Sequence, residues 1–299
     1  MKSVILTGAS GFLGAAVHRS LLKQGWEVHA LQHTRPVGQL PGTTILAGGL
    51  EAIDARLIDR VRPAAILHCA RPTMPRLRSL GRYLAAWKAA SINRKLLREV
   101  TASATSPPLF FASGSLVYGN TDRPHGEDAP LRPVSYARQY HSGEMPLLDA
   151  LRAGRPVLTI LRYPWILGEG SWFAWFYRKP ALEMGFVPLF GEGSNRMTIV
   201  SLAGAAETMV RCMENGPGAG IVNVVSPVVI SQKEFAEQAA RHYGAMVVPF
   251  REVFPKGVGT AEMEAFTSNI LLRTRHPELQ AGNDSGNINI LLRGMGPSH

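Results

Sequence analysis

The sequence predicts an α/β fold, a doubly wound parallel sheet with helices on both faces, and two observations support this. Short apolar runs alternate with helical stretches from the N-terminus to about residue 162. Such alternation is typical of parallel strands joined by helical crossovers. The first apolar run is also joined to the first helical stretch by a glycine-rich turn, a connection common in folds of this class.

The apolar runs and helical patterns place the individual elements. We predict strands at Val4–Leu6, Val28–Leu31, Thr44–Leu46, Ala65–Cys69, Leu109–Ala112, Leu158–Leu161 and Ile221–Val225. We predict helices at Gly11–Gln24, Ala52–Arg62, Tyr83–Thr105, Ser135–Ala153, Leu202–Glu214 and Gln232–Tyr243. Right-handed crossovers then bring the carboxyl ends of the strands to one edge of the sheet, where ligands bind.

The turn between the first strand and the first helix predicts a dinucleotide site. Gly8 permits a tight turn, Gly11 lets the backbone approach a pyrophosphate, and Gly14 lets the helix pack closely on the strand. The helix N-terminus offers unpaired N–H groups and a positive dipole end to the anion. We expect Ser10, Phe12 and Leu13 to join the three glycines in this cradle.

The division into domains follows from the change of pattern along the chain. Residues 1–162 are predicted to form a Rossmann-type dinucleotide-binding domain. Residues 163–280, with looser patterning, are predicted to form a smaller, interleaved substrate-binding lobe. From residue 281 to 299 the chain is rich in Gly, Asn and Ser, and we expect a flexible tail.

Composition narrows the class of protein. With 299 residues and 18 % charged residues, the chain fits an ordinary enzyme. The two cysteines are too few for a disulfide framework, which predicts a reducing cytoplasm, and no apolar run reaches the about 20 residues of a membrane span. The net charge of +10 comes from scattered arginines, so we expect no nucleic-acid partner. No residues show metal-ligand spacing.

The end of the second strand predicts the cofactor. An acidic residue there would bind the adenosine ribose and repel a 2′-phosphate. This chain has Gln32, His33, Thr34 and Arg35 instead, and Arg35 can pair with a phosphate through two hydrogen bonds. We therefore expect NADP, held by His33 and Arg35, with NAD as the alternative.

Several segments, in order, resemble the extended short-chain dehydrogenase/reductases, the NAD-dependent epimerase/dehydratase group. They are TGASGFLG at Thr7–Gly14, ILHCA at Ile66–Ala70, Asn93, FFASGSLVYGN at Phe110–Asn120, EDAPLRPVSY at Glu127–Tyr136, LRYPWILGEG at Leu161–Gly170 and NRMTIVSL at Asn195–Leu202. The resemblance implies that Ala70, Arg71 and Ser113 lie along the nicotinamide half of the cofactor. It also implies a homodimer formed by the helices at 83–105 and 135–153.

The family's catalytic pattern is a Ser or Thr, then a Tyr, with a Lys four residues after the Tyr. The resemblance places Tyr136 at the Tyr position and Tyr140 at the Lys position, with Glu144 at a frequent family glutamate. The serine position falls on Gly114, so Ser113 and Ser115 are the candidates beside it. Without the cation, the Tyr136 phenol is a better proton donor than acceptor near neutral pH, which favours reduction over oxidation.

The segment at 171–180 borders the substrate pocket in the family. Its aromatic residues, with Trp172, Trp175 and Phe176 as candidates, would line a large apolar cavity or pack on the core. His125, in the loop before Tyr136, is a candidate acid/base or an exposed loop residue. These features predict an NADP-dependent reductase of a bulky aromatic or polycyclic carbonyl compound, using Tyr136 with Ser115 or Tyr140. Three alternatives remain: a non-catalytic NADP-binding sensor or partner protein, a cyclase or isomerase, and a nucleotide-sugar epimerase or dehydratase.

Overall fold

The structure, a computed structural model, describes residues 2–72, 78–154, 157–253, 259–281 and 288–293. Its main feature is a seven-stranded sheet with the strand order β10-β6-β5-β4-β1-β2-β3. Those strands are β1 (Ser3–Thr7), β2 (Glu27–Gln32), β3 (Thr43–Ala47), β4 (Ala65–His68), β5 (Leu109–Gly114), β6 (Leu158–Tyr163) and β10 (Gly220–Asn223). The strands from β3 to β5 pair in parallel, which confirms the predicted fold class.

Five helices accompany this sheet. They are α1 (Phe12–Lys23), α2 (Ala55–Val61), α3 (Arg78–Ala102), α4 (Arg138–Arg152) and α6 (Leu202–Asn215). The central strands are apolar and fully buried: Val4, Ile5 and Leu6 of β1 have no exposed surface. Helix α1 covers them with Val17 and Leu21, which are also fully buried. Apolar residues on consecutive strand positions and at helical spacing therefore fold as predicted.

Three helix starts differ from the sequence prediction by three or more residues: those of α2, of α4, and of α3, which begins at Arg78 instead of Tyr83. A side-chain cap sets the start of α2. Residues 50–52 form a 3₁₀ turn, and α2 begins only after Asp54, whose carboxylate accepts a hydrogen bond from the Leu57 N–H at 2.7 Å. Residues 135–137 form a turn before α4. Tyr136 therefore lies in that turn, and Tyr140 lies in the first turn of the helix.

Smaller elements form two further sheets. One has the order β11-β9-β7, and the other pairs β12 with β8. Their strands are β7 (Trp165–Leu167), β8 (Phe186–Leu189), β9 (Arg196–Ser201), β11 (Val229–Ser231) and β12 (Met246–Pro249), with helices α5 (Lys179–Met184), α7 (Gln232–Tyr243), α8 (Phe250–Val253), α9 (Thr260–Thr267) and α10 (Ile288–Arg293). Helix α7 begins at a capping box in which Ser231 and Glu234 bond each other's backbone N–H.

Backbone contacts divide the chain into two units that interleave along the sequence. Unit 1 comprises residues 1–113, 138–162 and 206–222, and unit 2 comprises residues 114–137, 163–205 and 223–299. The sequence predicted a lobe at residues 163–280 interleaved with the domain at residues 1–162, without naming the segments that cross between them. Those segments were not named because chain order alone does not show which distant elements pack together.

One described segment of the expected flexible tail at 281–299 is helical, and residues 282–287 and 294–299 lie outside the described residues. Residues 288–293 form α10, and its Ile288 and Leu292 are 4 % and 0 % exposed. Both belong to the core of unit 2, which also contains Phe173, Tyr177 and Phe235. Apolar residues at helical spacing in this short segment outweigh the Gly- and Asn-rich composition around it.

Candidate functional site

The glycine turn of unit 1 is tightly closed on itself. Gly8 has a φ of +75°, and a Cβ there would lie 2.7 Å from the Ala70 N and the Cys69 carbonyl carbon. A Cβ on Gly14 would lie 2.0 Å from the Gly8 O. A Cβ on Gly11 would lie 3.1 Å from the Gly8 O, closer than an ordinary van der Waals contact. The close packing expected at Gly8 and Gly14 is present, and the role of Gly11 in the approach of a pyrophosphate stays a prediction.

The first turn of α1 leaves its donors for an anion. Its N-cap is Gly11, no side chain caps it, and no acidic residue stands in the first turn. Ser10, Phe12 and Leu13 are half-buried around this end. Uncapped N–H groups and the helix dipole form an anion site, so these residues fit the pyrophosphate of a dinucleotide.

The segment after β2 is open to solvent. His33, Thr34 and Arg35 are exposed, whereas the Gln32 Oε1 accepts a hydrogen bond from the Val37 N–H at 2.7 Å. None of the ion pairs among the described residues involves Arg35. A cavity of about 380 Å³ lies beside the ends of β2 and β3, with Arg56 and Arg60 of α2 in its lining. This part of unit 1 is thus positively charged.

A buried chain of polar groups connects β1 to α4, and sequence reasoning missed it. Parallel pairing sets Thr7 beside His68, and Thr7 Oγ1 lies 2.6 Å from His68 Nδ1. His68 Nε2 lies 2.9 Å from Asn93 Oδ1, and Asn93 Nδ2 donates to the Gly143 carbonyl at 2.7 Å. The Ala70 N–H donates to Thr7 Oγ1 at 3.3 Å.

The Gly143 end of this network fixes the direction of two of its bonds. The Gly143 carbonyl only accepts, so Asn93 donates to it through Nδ2 and accepts from His68 Nε2–H through Oδ1. Burial lowers the pKa of His68 to about 4, so the ring is neutral and its Nδ1 accepts a hydrogen bond from the Thr7 hydroxyl. These hydrogen bonds hold α3, through Asn93, and α4, through Gly143, against the strands β1 and β4.

Ser113 is tied to a buried ion pair within unit 1. Its hydroxyl donates to Glu144 Oε2, and Glu144 Oε1 accepts from Arg162 at 2.5 and 3.1 Å. Glu144 and Arg162 have no exposed surface. Because the Ser113 hydrogen is directed at a carboxylate, its oxygen offers only lone pairs to a ligand. His141 lies near this pair, and burial lowers its pKa.

Arg71 and Tyr140, both in unit 1, contact each other. The Arg71 Cζ is 5.7 Å from the centre of the Tyr140 ring. Arg71 is exposed, and Tyr140 and Ala70 are half-buried. This cation–π contact is not visible in the sequence, because the two residues are far apart along the chain.

Ser115 and Tyr136 belong to unit 2. Ser115 is 3 % exposed and begins a 3₁₀ turn (Ser115–Val117) after β5, and Tyr136 is half-buried. His125 stacks on Tyr118 with ring centres 5.2 Å apart, and burial lowers its pKa. Glu127, 7 % exposed, accepts hydrogen bonds from the Asn223 N–H, the Thr274 hydroxyl and the Arg275 N–H. Glu127 therefore holds the backbone at Asn223 and Arg275 in place.

The aromatic segment of unit 2 turns most of its rings inward. Trp172 and Phe176 pack against the unit 2 core, and Trp172 Nε1 donates to the Ile166 carbonyl at 2.9 Å. Trp175 is 63 % exposed, with the Lys179 ammonium 5.6 Å from its ring centre. Residues 174–178 form a π-helical turn. Of the three predicted pocket residues, Trp175 alone is mainly exposed.

Three further features bear on the kind of protein. None of the helices in the part of the chain that the structure describes is long and apolar enough to cross a membrane. Within the same residues, no group of three His, Cys, Asp or Glu side chains is placed to hold a metal ion. Burial raises the pKa of the Cys69 thiol to about 12, so this thiol is not activated as a nucleophile.

A model of the NAD dependent epimerase/dehydratase family matches residues 4–224. The chain belongs to this family. Binding of NAD or NADP is typical of the epimerase/dehydratase family, so the glycine turn and the uncapped α1 are the parts that fit such a cofactor. The match ends near the close of β10, and it includes every residue of the two buried polar networks of unit 1.

Known members of the epimerase/dehydratase family differ in what they do. Methionine adenosyltransferase 2 subunit beta of Xenopus laevis is 26 % identical over 176 residues, 56 % of this chain and 48 % of that protein. A probable dTDP-4,6-dihydroxy-2-methyloxan-3-one 4-ketoreductase of Streptomyces antibioticus is 28 % identical over 171 residues, 55 % of this chain and 52 % of that protein. The chain matches about half the length of each.

A solved structure shows the same fold over nearly the whole chain. The human epimerase family protein, solved with NADPH, superposes with a TM-score of 0.76 and covers 98 % of each chain at 16 % identity. At this identity the likeness shows the fold alone. That Tyr140 and Gly114 stand at the lysine and serine positions of the family's catalytic pattern stays a prediction from the sequence resemblance.

Proposed function

We propose that this protein is an NADP-dependent reductase of a bulky aromatic or polycyclic carbonyl compound, with Tyr136 as proton donor. The observation that carries the proposal is a glycine cradle at β1 combined with an exposed Arg35, and no carboxylate, after β2. A guanidinium pairs with a 2′-phosphate, whereas a carboxylate would repel it. The S. antibioticus relative, whose name describes a probable ketoreductase, supports reduction as the direction of the reaction.

NADPH, when bound, would supply a hydride to the carbonyl carbon. The N–H groups of Phe12 and Leu13 would hold its pyrophosphate, and Arg35 with His33 would hold its 2′-phosphate. Tyr136 gives its phenolic proton to the carbonyl oxygen, which becomes a hydroxyl, and regains a proton from water. A phenol does this as an acid, so the missing lysine costs less in reduction than in oxidation.

The supporting hydroxyl in this proposal comes from Ser115 or Tyr140. Ser113 is less suited to contact a carbonyl oxygen, because its hydrogen is directed at Glu144. We assign Ser113 instead to a partner that donates a hydrogen bond, such as an amide or hydroxyl of the cofactor. The proposed bulk of the substrate is inferred from the aromatic segment at 171–180, in which Trp175 is the mainly exposed ring.

The proposed role of Tyr136 has a direct test. The purified protein is assayed for NADPH oxidation with a panel of aromatic ketones, polycyclic ketones and quinones, and Tyr136→Phe is compared with the parent. We expect Tyr136→Phe to lower kcat by about 100-fold or more, a typical loss for an acid catalyst, and to leave NADPH affinity unchanged. Equal turnover by the variant would contradict the role.

A second candidate is a nucleotide-binding partner protein without turnover. The observation in its favour is Tyr140 in place of the lysine, together with a relative whose name describes a subunit of methionine adenosyltransferase. This candidate predicts that the parent binds NADPH, that no compound of the panel oxidises NADPH, and that Tyr136→Phe behaves like the parent in both assays. A nucleotide-sugar epimerase or dehydratase, or a cyclase or isomerase, would instead convert substrate without net cofactor consumption.

We also propose a homodimer in which α3 contributes to the interface. Trp87 and Leu84, three residues apart on α3, are 69 % and 40 % exposed. Exposed apolar residues on one helix face are typical of an interface. Sedimentation of the parent and of Trp87→Glu tests this, because a dimer that uses this face dissociates when the charge is introduced.

A further inference from the structure

We propose that Arg71, held on the ring of Tyr140, is the cation that binds the nicotinamide half of the cofactor. The inference rests on the proposed function, because it needs a dinucleotide in the glycine cradle. It adds a residue pair particular to this chain, an aromatic ring at position 140 and an arginine that occupies the space above it.

The backbone before Arg71 is fixed against the cradle. A Cβ on Gly8 would meet the Ala70 N at 2.7 Å, and the Ala70 N–H bonds to Thr7 Oγ1 at 3.3 Å. The strand that leads to it, β4, pairs with β1 through four residue pairs from Val4↔Ala65 to Thr7↔His68. Arg71 therefore directly follows Ala70, whose backbone lies close to the glycine turn at Gly8.

Strand order assigns Arg71 to one half of the ligand. A dinucleotide bound at the β1–α1 turn extends to both sides of β1 along the carboxyl edge of the sheet. β2, followed by Arg35, lies on one side of β1, and β4, followed by Arg71, lies on the other. If Arg35 holds the 2′-phosphate, the adenosine half lies towards β2 and the nicotinamide half lies towards β4.

The contact with Tyr140 holds the charge at that place. The guanidinium carbon is 5.7 Å from the ring centre, within the range of cation–π attraction. Tyr140 is itself fixed, because α4 is bonded through Gly143 to Asn93 and through Glu144 to Arg162. None of the ion pairs among the described residues uses Arg71, so its charge is available for the oxygens of a ribose and a phosphate.

The test compares two ligands by calorimetric titration of the full chain. NADPH has both halves, and adenosine 2′,5′-bisphosphate has only the adenosine half. We expect Arg71→Ala to weaken NADPH binding about 10-fold and to leave binding of the bisphosphate unchanged. Arg35→Ala should weaken both ligands. Arg98→Ala, an exposed arginine of α3, is the matched control and should weaken neither.

Variants of Tyr140 test the contact itself. Tyr140→Phe keeps the ring and should bind NADPH within about twofold of the parent, whereas Tyr140→Ala should bind several-fold more weakly. In the double variant Arg71→Ala/Tyr140→Ala the losses should not add, because the ring acts by holding the guanidinium. Additive losses would show that the two residues act separately and would overturn the pairing.

The outcomes separate this inference from the function on which it rests. If the parent binds NADPH and Arg71→Ala binds it equally well, the inference alone is overturned. Equal weakening of NADPH and of the bisphosphate by Arg71→Ala would also overturn it, because the effect would then reach the adenosine half. If the parent binds neither ligand, the cofactor assignment fails and the inference fails with it.

Discussion

His68 shows how one buried side chain links the strand pairing to the position of α4. It sits in β4 beside Thr7 of β1 and accepts one hydrogen bond while donating another. A charged imidazole would have to donate on both sides, towards the Thr7 hydroxyl and Asn93, inside a site with no exposed surface to solvate it. Burial therefore favours the neutral ring.

Stability should consequently fall on acidification through the titration of His68. Its pKa is near 6.5 in the unfolded chain and about 4 in the folded protein, so the unfolded chain binds a proton that the folded one does not. The stabilisation is complete above pH 6.5 and is lost as the pH falls towards 4, by about 3 kcal/mol in total. Denaturant titrations at pH 7.5, 6 and 5 measure it.

The matched variants for this prediction are His68→Gln and His33→Gln. His68→Gln should reduce the slope of unfolding free energy against pH between 6.5 and 4. His33 is exposed, so His33→Gln should leave the slope unchanged. The same slope in the parent and in His68→Gln would show that the loss arises from other groups.

The ion pair of Glu144 and Arg162 gives a second prediction for single residues. Arg162→Met removes one partner and leaves the Glu144 carboxylate buried without its cation, so it should cost about 3 to 5 kcal/mol of unfolding free energy. The double variant Glu144→Leu/Arg162→Met should cost much less than the two single variants together, because no charge is left unpaired. Chemical denaturation of the three variants checks this, and additive losses would contradict it.

At the scale of elements, the close approach of α1 to β1 depends on Gly14. Replacing a helical glycine with alanine normally stabilises a helix by about 1 kcal/mol. Here the new Cβ would lie 2.0 Å from the Gly8 carbonyl oxygen, so we expect Gly14→Ala to destabilise the protein by several kcal/mol instead. Gly38→Ala, where no atom lies within 4 Å, is the control. A rise in Tm for Gly14→Ala would contradict the packing.

Helix α10 offers a matched pair of apolar residues. Leu292 is fully buried in the unit 2 core, and Ile290 is 54 % exposed two residues earlier. Leu292→Ala should therefore cost about 2 to 4 kcal/mol, and Ile290→Ala less than about 0.5 kcal/mol. Denaturant titration of both variants decides whether α10 belongs to the folded core, and equal small losses would exclude it.

The elements also show what the sequence could predict. Strand and helix positions in the first half were predicted to within a few residues, because buried parallel strands and amphipathic helices carry strong local patterns. The partner of Ser113, the contact of Arg71 with Tyr140 and the burial of α10 could not be predicted. Each depends on residues far apart in the chain, which a local pattern does not bring together.

For the molecule as a whole, the glycine turn was predicted from sequence because each glycine acts within a few residues of the others. The catalytic assignment was harder. The resemblance predicts Tyr136 at the tyrosine position and Tyr140 and Gly114 at the lysine and serine positions, and these assignments stay predictions. In unit 1 the Arg71 guanidinium lies over the Tyr140 ring and the Ser113 hydroxyl donates to Glu144, two contacts that no local pattern shows.

We propose that this chain binds NADPH in the glycine cradle of unit 1. The most direct measurement is calorimetric titration with NADPH and NADH of the parent, Gly11→Asp, Arg35→Ala and the control Gly38→Asp. We predict that NADPH binds at least about 10-fold more tightly than NADH, that Gly11→Asp binds neither, and that Arg35→Ala loses the preference. Binding of neither nucleotide by the parent, or equal binding in Gly11→Asp, would contradict the account.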